Sequence, residues 1–566
     1  MQVLDAARVD EEADRGRIGP LWVHAIGLLI VLLALVPLVG TDAVFSADEG
    51  AAAIQARRVA EEGAWVGRHP LPEVDTDVLG YPVHLAEETS EGWHELTRHP
   101  LYIRVLAGAW SAGGFAAMVG LSILATVGAA TVTASLAGRL EPRLAVPTLW
   151  VMGLASPLVF DGYLVIAHSL GAFFAACAAW FLIGRWTPTH LAAGALSCAG
   201  VVMVRSEGVL LGIAVAAALV VMGARHRHRG RLAAGVVAGM ASVGAYLLDG
   251  WWTSLLKEPT VGTAGPGIAR FQGGLVRGRW EGFERTWLWI GRGGISAGDE
   301  LILLAVVLAA VGAVAIRIGA RPRIVVTLGA GSAVLVVLRL VTDPTAIVPG
   351  LLFAFPLLLV GSLLIDRRHL TLGSNRSRDL VLAASLYALA VVATQYSVGG
   401  TTEWGGRYFA LGLPLICPVV VAAVLDGADR LDRTSARRWV ATLVVVSLTI
   451  SLIGLLGLRR AHDRTEELVA TVAQGIGAAG PDPVVLTDVN PLARWSWELL
   501  DDARWTLVAA DDMPAASAQL SDAGIERFVY VGHLADDEIE ALSRRHRVTA
   551  ELRPSFDESW HVVVFG

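Results

Sequence analysis

Lysine is almost missing from this chain: Lys257 is the only one among 45 basic residues. So strong a bias towards arginine matches a GC-rich bacterial coding background and says nothing about mechanism. Cysteine is also scarce, and Cys177, Cys198 and Cys417 all fall inside apolar runs. That excludes a disulfide framework and gives no support to a thiolate metal site, so the three read as small packing residues. Charged residues make up 17% of the sequence against 54% hydrophobic, with a mean hydropathy of +0.57, too apolar for an ordinary water-soluble domain. Strict alternation of apolar and polar residues is missing too, which excludes a β-barrel. The formal charge is −7. From residue 459 onward there are 19 acidic and 10 basic residues, so the excess lies in the tail, the apolar part is near neutral, and nucleic acid is not a partner.

What is present is a series of apolar runs of roughly 18 to 25 residues, the length a helix needs to cross a hydrocarbon core about 30 Å thick. The first, Leu21 to Val39, follows Arg15 and Arg17, is long for a signal peptide and lacks a small-x-small cleavage site. Further runs fall near 114–138, 145–162, 164–184, 190–204, 207–223, 232–252, 300–318, 324–342, 346–365, 379–396, 408–425 and 439–458. The expectation is an α-helical polytopic membrane protein with about 13 transmembrane helices. Alternate loops carry Arg139 and Arg143; Arg185; Arg225 to Arg231; Arg317 to Arg323; Arg367 to Arg378; and Arg430 to Arg438. The positive-inside rule places them all in the cytoplasm with an amino-terminal tail over 1–20. This sidedness depends on splitting the nearly continuous run 190–223 at Arg205.

Two large loops, 41–113 and 253–299, then face outward with the tail. The region 21–460 is expected to form the membrane domain, and 461–566 a small extracytoplasmic α/β domain. In the latter, strands at Val484–Thr487, Thr506–Ala509, Arg527–Val531 and Trp560–Phe565 alternate with helices near 491–501, 514–523 and 535–545, which suggests a mostly parallel sheet. No Gly-rich phosphate loop follows any of these strands, so nucleotide binding is not indicated. Trp495, Trp497, Trp505 and Trp560 suit stacking on sugar rings, but packing in a small core is the simpler reading.

Ionisable residues near span ends are costly and tend to line cavities. On the outer side they are Asp48 and Glu49, Arg98 and His99, Asp161 with His168, Arg205 with Glu207, and Glu403 with Arg407 and Tyr408. Each has a plain structural explanation. Ser46 and Glu49 have capping-box spacing, Asp48 suits a helix amino terminus, Arg205 and Glu207 suit a turn ion pair, and Arg407 suits a snorkelling anchor. Their common side favours chemistry: a carboxylate that deprotonates a hydroxyl, beside arginines that stabilise a departing phosphate. His84, His94 and His99 with Glu87, Glu88, Glu91 and Glu95 match no tight metal-ligand spacing, and a solvated loop face is the favoured reading.

Taken in order, Ala47-Asp-Glu-Gly50, Arg98-His-Pro-Leu-Tyr102, Ser156-Pro157 with Asp161, Val204-Arg-Ser-Glu-Gly208 and Gly405-Gly-Arg-Tyr408 resemble the GT-C superfamily of integral-membrane glycosyltransferases. The likeness is strongest to the bacterial branch related to protein O-mannosyltransferases and lipid A aminoarabinose transferases, over roughly residues 20–425. It implies an inverting transfer from a polyprenyl-phosphate-linked sugar to a hydroxyl of a glycan, glycolipid or protein of the cell envelope, at the outer face of the bacterial plasma membrane. Asp48 would be the base with Glu49 in support. Arg205 and Arg407, then Arg98 and His99, would hold the donor phosphate. Asp161, His168, Glu207, Glu403, Tyr408 and Tyr102 would line the substrate site. No cofactor is required by these residues; a divalent metal is used in some branches only. The alternative is a transporter or flippase of lipid-linked sugars, which calls for broken helices or charges at mid-membrane in paired halves.

Overall fold

The structure, a computed structural model, describes residues 2–74, 78–83, 86–90, 92–95, 99–184, 186–256, 275–288, 297–342, 350–394 and 404–566. Nine helices among them are long and apolar enough to cross a membrane: Leu21–Val39, Pro100–Leu140, Gly208–Arg225, Arg229–Leu256, Glu300–Arg317, Pro322–Thr342, His369–Thr394, Arg407–Ala428 and Arg433–Ala479. His168–Leu182 and Pro188–Val204 are shorter apolar helices. The remaining two expected spans are broken. Residues 145–162 divide into Ala145–Trp150, a wider turn over Val151–Ala155, and Leu158–Asp161 beyond Ser156-Pro157. Within 346–365, Leu351–Ala354 is separated from Pro356–Leu364. Eleven of the expected runs are thus single helices and two are divided. Proline removes a backbone donor and clashes with the preceding turn, so apolar content alone does not keep these runs continuous.

The split of the long apolar run is present: helix Pro188–Val204 ends where Arg205 becomes extended, and the next begins at Gly208. Gly208 lies so close to the Val201 backbone that a Cβ there would stand 2.6 Å from its carbonyl oxygen. The basic loops gather at one end of the bundle. Arg143 meets Asp426 and Asp429, Arg368 and His369 share Asp366 and Asp426, Arg430 meets Asp366, and Arg317 donates to the Leu363 carbonyl. Arg185 lies outside the described residues.

At the opposite end, loop 41–113 is folded. With Gln2–Val39 as α1, Ala47–Glu61 forms α2 and Pro100–Leu140 forms α3. α3 breaks at Gly113 and Gly114, the latter at φ +64°, dividing an interfacial stretch from the span. Between α2 and α3, strands Val66–Gly67 (β1), Glu87–Glu88 (β2) and Trp93–His94 (β3) pair antiparallel in the order β1-β3-β2. Glu95 is fully buried there and accepts from Arg58 at 2.6 Å and from the Tyr81 hydroxyl at 2.9 Å. Burial, reinforced by Glu95, pushes the Tyr81 hydroxyl well above its ordinary range.

The helix Arg433–Ala479 runs unbroken from the membrane into the C-terminal domain. There Val484–Thr487 (β4), Arg504–Leu507 (β5), Phe528–Gly532 (β6), Val548–Leu552 (β7) and His561–Phe565 (β8) form a sheet of order β5-β4-β6-β8-β7. β5, β4 and β6 are parallel, but β8 runs antiparallel to both its neighbours, β6 and β7, so the sheet is mixed rather than mostly parallel. β7 was not expected: it is an edge strand with mostly exposed residues and carries no apolar run. Its link to β8 holds no crossover helix, which is what a parallel pairing would need.

Leu468, Val472 and Ile476 of the long helix cover one sheet face, packing with Val485, Val529 and Val562. The other face buries Leu520, Ile539 and Leu542 together with Leu71, Val74 and Leu79 of the outer loop. Gly80 also pairs with Leu507 through backbone bonds of 2.8 and 3.0 Å. Outer loop and C-terminal domain therefore share one core. Trp505, Trp497 and Trp560 are buried and Trp495 is partly buried within these clusters, in keeping with packing.

Candidate functional site

The site starts from the cap of α2. Glu49 donates its backbone N–H to the Ser46 hydroxyl at 3.4 Å, and its carboxylate accepts from the N–H groups of Phe45 and Ser46 at 2.7 and 3.1 Å. The second carboxylate oxygen accepts from the Val165 N–H at 2.7 Å. Glu49 is 1% exposed, and these bonds anchor the helix start to the segment between Asp161 and His168. Its neighbour is different: the Asp48 side chain is 60% exposed at the same helix terminus. Gly50 completes the motif because a Cβ there would meet the Arg494 carbonyl oxygen at 1.8 Å. The small residue lets the C-terminal domain lie directly on α2.

Two guanidinium groups face Asp48, Arg407 at 3.5 Å from one carboxylate oxygen and Arg494 at 4.0 Å from the other. Arg407 is placed by the pair of glycines before it. Gly405 and Gly406 both sit at φ +69°, a conformation that favours glycine, and Cβ atoms there would strike Pro157 and the Thr286 carbonyl at 2.4 and 2.6 Å. The Ser156-Pro157 and Gly405-Gly-Arg-Tyr408 motifs are thus one packing unit. Trp404 stacks on Phe160, which meets Phe45 edge-on just before α2. Arg407 also donates to the Tyr408 hydroxyl at 3.1 Å, while the Tyr408 carbonyl accepts from Tyr387 at 2.6 Å.

Behind this pair stand Arg205 and Glu207, ion-paired at 3.1 Å, with the Arg205 stem beside Gly171. His168 Nδ1 lies 3.1 Å from Asp161 Oδ1; both residues are 1% exposed, and both Arg205 and Arg407 act on His168 electrostatically. Tyr102 is buried and within the electrostatic reach of Glu49 and Arg205. The expected residues Asp48, Glu49, Asp161, His168, Arg205, Glu207, Arg407, Tyr408 and Tyr102 are therefore one connected group. His99 differs. It caps α3 in a left-handed conformation, and its ring nitrogens are engaged by Asp249 at 2.9 Å and by Ser206, in the Arg205 turn, at 3.1 Å. Arg98 and Glu403 lie outside the described residues.

Arg494 escaped the sequence reading. It sits on a short helix, Leu492–Trp495, with no periodicity to mark it, and follows β4 in a domain otherwise read as an appendage. Burial pushes its guanidinium below the usual range, with Asp48 opposing the shift.

Among the described residues, no group of three or more His, Cys, Asp and Glu is placed to hold a metal ion. Glu95 is committed to Arg58 and Tyr81, and His84 and Glu91 lie outside the described residues. The arrangement can hold an anion between guanidinium groups beside an accessible carboxylate.

No family model and no curated protein matches the chain. Two crystal structures of ArnT from Cupriavidus metallidurans are similar to it. The form bound to undecaprenyl phosphate has 13% identity and a TM-score of 0.49, covering 97% of this chain and 98% of that one. The apo form has 16% identity and a TM-score of 0.47, covering 98% of each.

Proposed function

We propose that this chain is a GT-C-type inverting glycosyltransferase, which moves a sugar from a polyprenyl-phosphate donor to a hydroxyl of a cell-envelope acceptor at the outer face of the bacterial plasma membrane. The observation that carries the reading is Asp48: an exposed carboxylate, fixed by a complete capping box and flanked by arginines from two different parts of the fold. The resemblance of the five ordered motifs supports it. So does the collection of arginine-rich loops at the opposite end, which the positive-inside rule assigns to the cytoplasm.

In the proposed reaction, the acceptor oxygen attacks the anomeric carbon from the face opposite the phosphate. Asp48 takes the hydroxyl proton as the new C–O bond forms. The bond from the anomeric carbon to the phosphate oxygen breaks, and the electron pair leaves on the polyprenyl phosphate. Arg407 and Arg205 stabilise that charge, a role suited to bidentate guanidinium groups near a water-poor surface. Asp161 and His168 stiffen the wall behind them.

The test is Asp48→Asn in the full-length protein, assayed with a labelled polyprenyl-phosphate sugar and cell-envelope acceptors. Loss of a general base lowers turnover by about 10²- to 10⁴-fold. Wild-type turnover in the variant would falsify the base assignment. Label that changes leaflet while remaining on its lipid carrier would identify the transporter alternative.

A further inference from the structure

We infer that the turn between helices Gly208–Arg225 and Arg229–Leu256 binds an anionic phospholipid in the leaflet at the basic end of the bundle, with Arg225, Arg227 and Arg229 on its phosphate. The inference is independent of the transferase reading. The seven residues from Arg225 to Arg231 hold four arginines and two histidines. Arg231 is neutralised within the fold, being buried and paired with Asp379 at 3.1 Å. Arg225, Arg227 and Arg229 are exposed, and among the described residues none of them has an ion-pair partner. Arg143, at the same end, meets three carboxylates. Three like charges crowded into five residues repel one another unless an external anion lies among them.

The fold holds this turn in one shape. Arg227 sits at φ +50°, a strained conformation for a residue with a side chain, and its N–H and that of His228 donate to the Ala224 and Gly223 carbonyls at 3.2 and 2.8 Å. The His228 ring lies 4.4 Å from the Trp186 indole, and Gly230 admits that indole where a Cβ would meet it at 2.8 Å. Tryptophan is favoured at the boundary between headgroups and hydrocarbon. What selects a lipid over a soluble anion is the surface below the charges. Arg229, Val236, Met240, Val243 and Leu247 follow one another at seven, four, three and four residues, which is one face of a helix, and the four apolar side chains are exposed. Val221, exposed as well, stands one turn before Arg225. Phosphate on the arginines and acyl chains along these stripes fit one molecule, whereas an acidic protein would use the charges alone.

The experiment is equilibrium binding to the full-length detergent-solubilised protein, with dioleoyl phosphatidylglycerol, dioleoyl phosphatidylcholine and polyglutamate as separate probes. The wild-type protein should prefer phosphatidylglycerol. An arginine near an anionic lipid surface is worth about fivefold in affinity, so the triple variant Arg225→Gln, Arg227→Gln, Arg229→Gln should bind phosphatidylglycerol at least about tenfold more weakly, near the phosphatidylcholine level. The control is Arg433→Gln, Arg437→Gln, Arg438→Gln, which removes the same charge from exposed positions at the start of another helix. It should leave phosphatidylglycerol binding within about twofold, because separated exposed charges are screened. Unchanged phosphatidylglycerol binding in the first variant overturns the inference. So does equal weakening in the control, which reduces the effect to diffuse charge. Polyglutamate held as tightly as phosphatidylglycerol would assign the turn to an acidic protein and overturn it too.

Discussion

At the basic end of the bundle, Arg143 meets Glu141 at 2.5 Å, Asp429 at 2.8 Å and Asp426, while Arg430 meets Asp366 at 2.8 Å. At the other end, the two arginines facing Asp48 remain 3.5 and 4.0 Å away. Burial runs the opposite way: Arg143 is 44% exposed and Arg494 9%. In water, charges that pair closely gain little and mainly tie loops together. Away from water, each charge costs more to desolvate, and a loosely held pair recovers less of that cost. The first network is closed by short ion pairs, and the second leaves the Asp48 carboxylate exposed between two more distant guanidinium groups.

The sharpest break of this contrast is Asp48→Asn, which removes the carboxylate that distinguishes the open end. Next comes Gly50→Ala. Its Cβ would stand 1.8 Å from the Arg494 carbonyl oxygen, and backbone cannot rotate away as a side chain can. Overpacking of about 1–3 kcal/mol is expected to lift the C-terminal domain from α2. The measurement is transfer activity together with protease sensitivity around residues 480–510. Activity and protection both unchanged would mean that the seam has slack. Glu49→Gln follows. It keeps the side-chain shape but removes the charge that accepts from Phe45, Ser46 and Val165. The expected cost is about 1–3 kcal/mol in thermal stability, with a smaller loss of turnover than Asp48→Asn. Equal turnover losses in the two would give Glu49 a direct chemical role.

The parts of this site that the sequence disclosed are those whose geometry is local. The capping box spans four residues, and Gly405-Gly406 carries its own backbone requirement, so both could be read before any packing was known. Helix positions followed from apolar runs, because backbone in lipid must satisfy its own hydrogen bonds. What stayed hidden depends on distant packing. Arg494 reaches Asp48 only because the C-terminal sheet docks on the outer loop through Leu71, Val74 and Leu79. His99 finds Asp249 from another helix, which no spacing rule indicates. β7 is exposed at a sheet edge and leaves no hydrophobic signature.

The smallest expected effect comes from the closed end. Arg143→Gln removes bonds to Glu141, Asp426 and Asp429, yet Arg143 is 44% exposed and solvent screens much of the gain. A neighbouring cation also remains: Arg368 still faces Asp426, so the carboxylate left behind is not stranded. The loss should be no more than about 1 kcal/mol, seen as a small fall in unfolding temperature that shrinks further in high salt. Transfer activity should not change, because none of these groups touches the Asp48 site. A large loss of turnover with stability intact would mean that the two ends are coupled through the helices between them, and the division into a closed and an open network would fail.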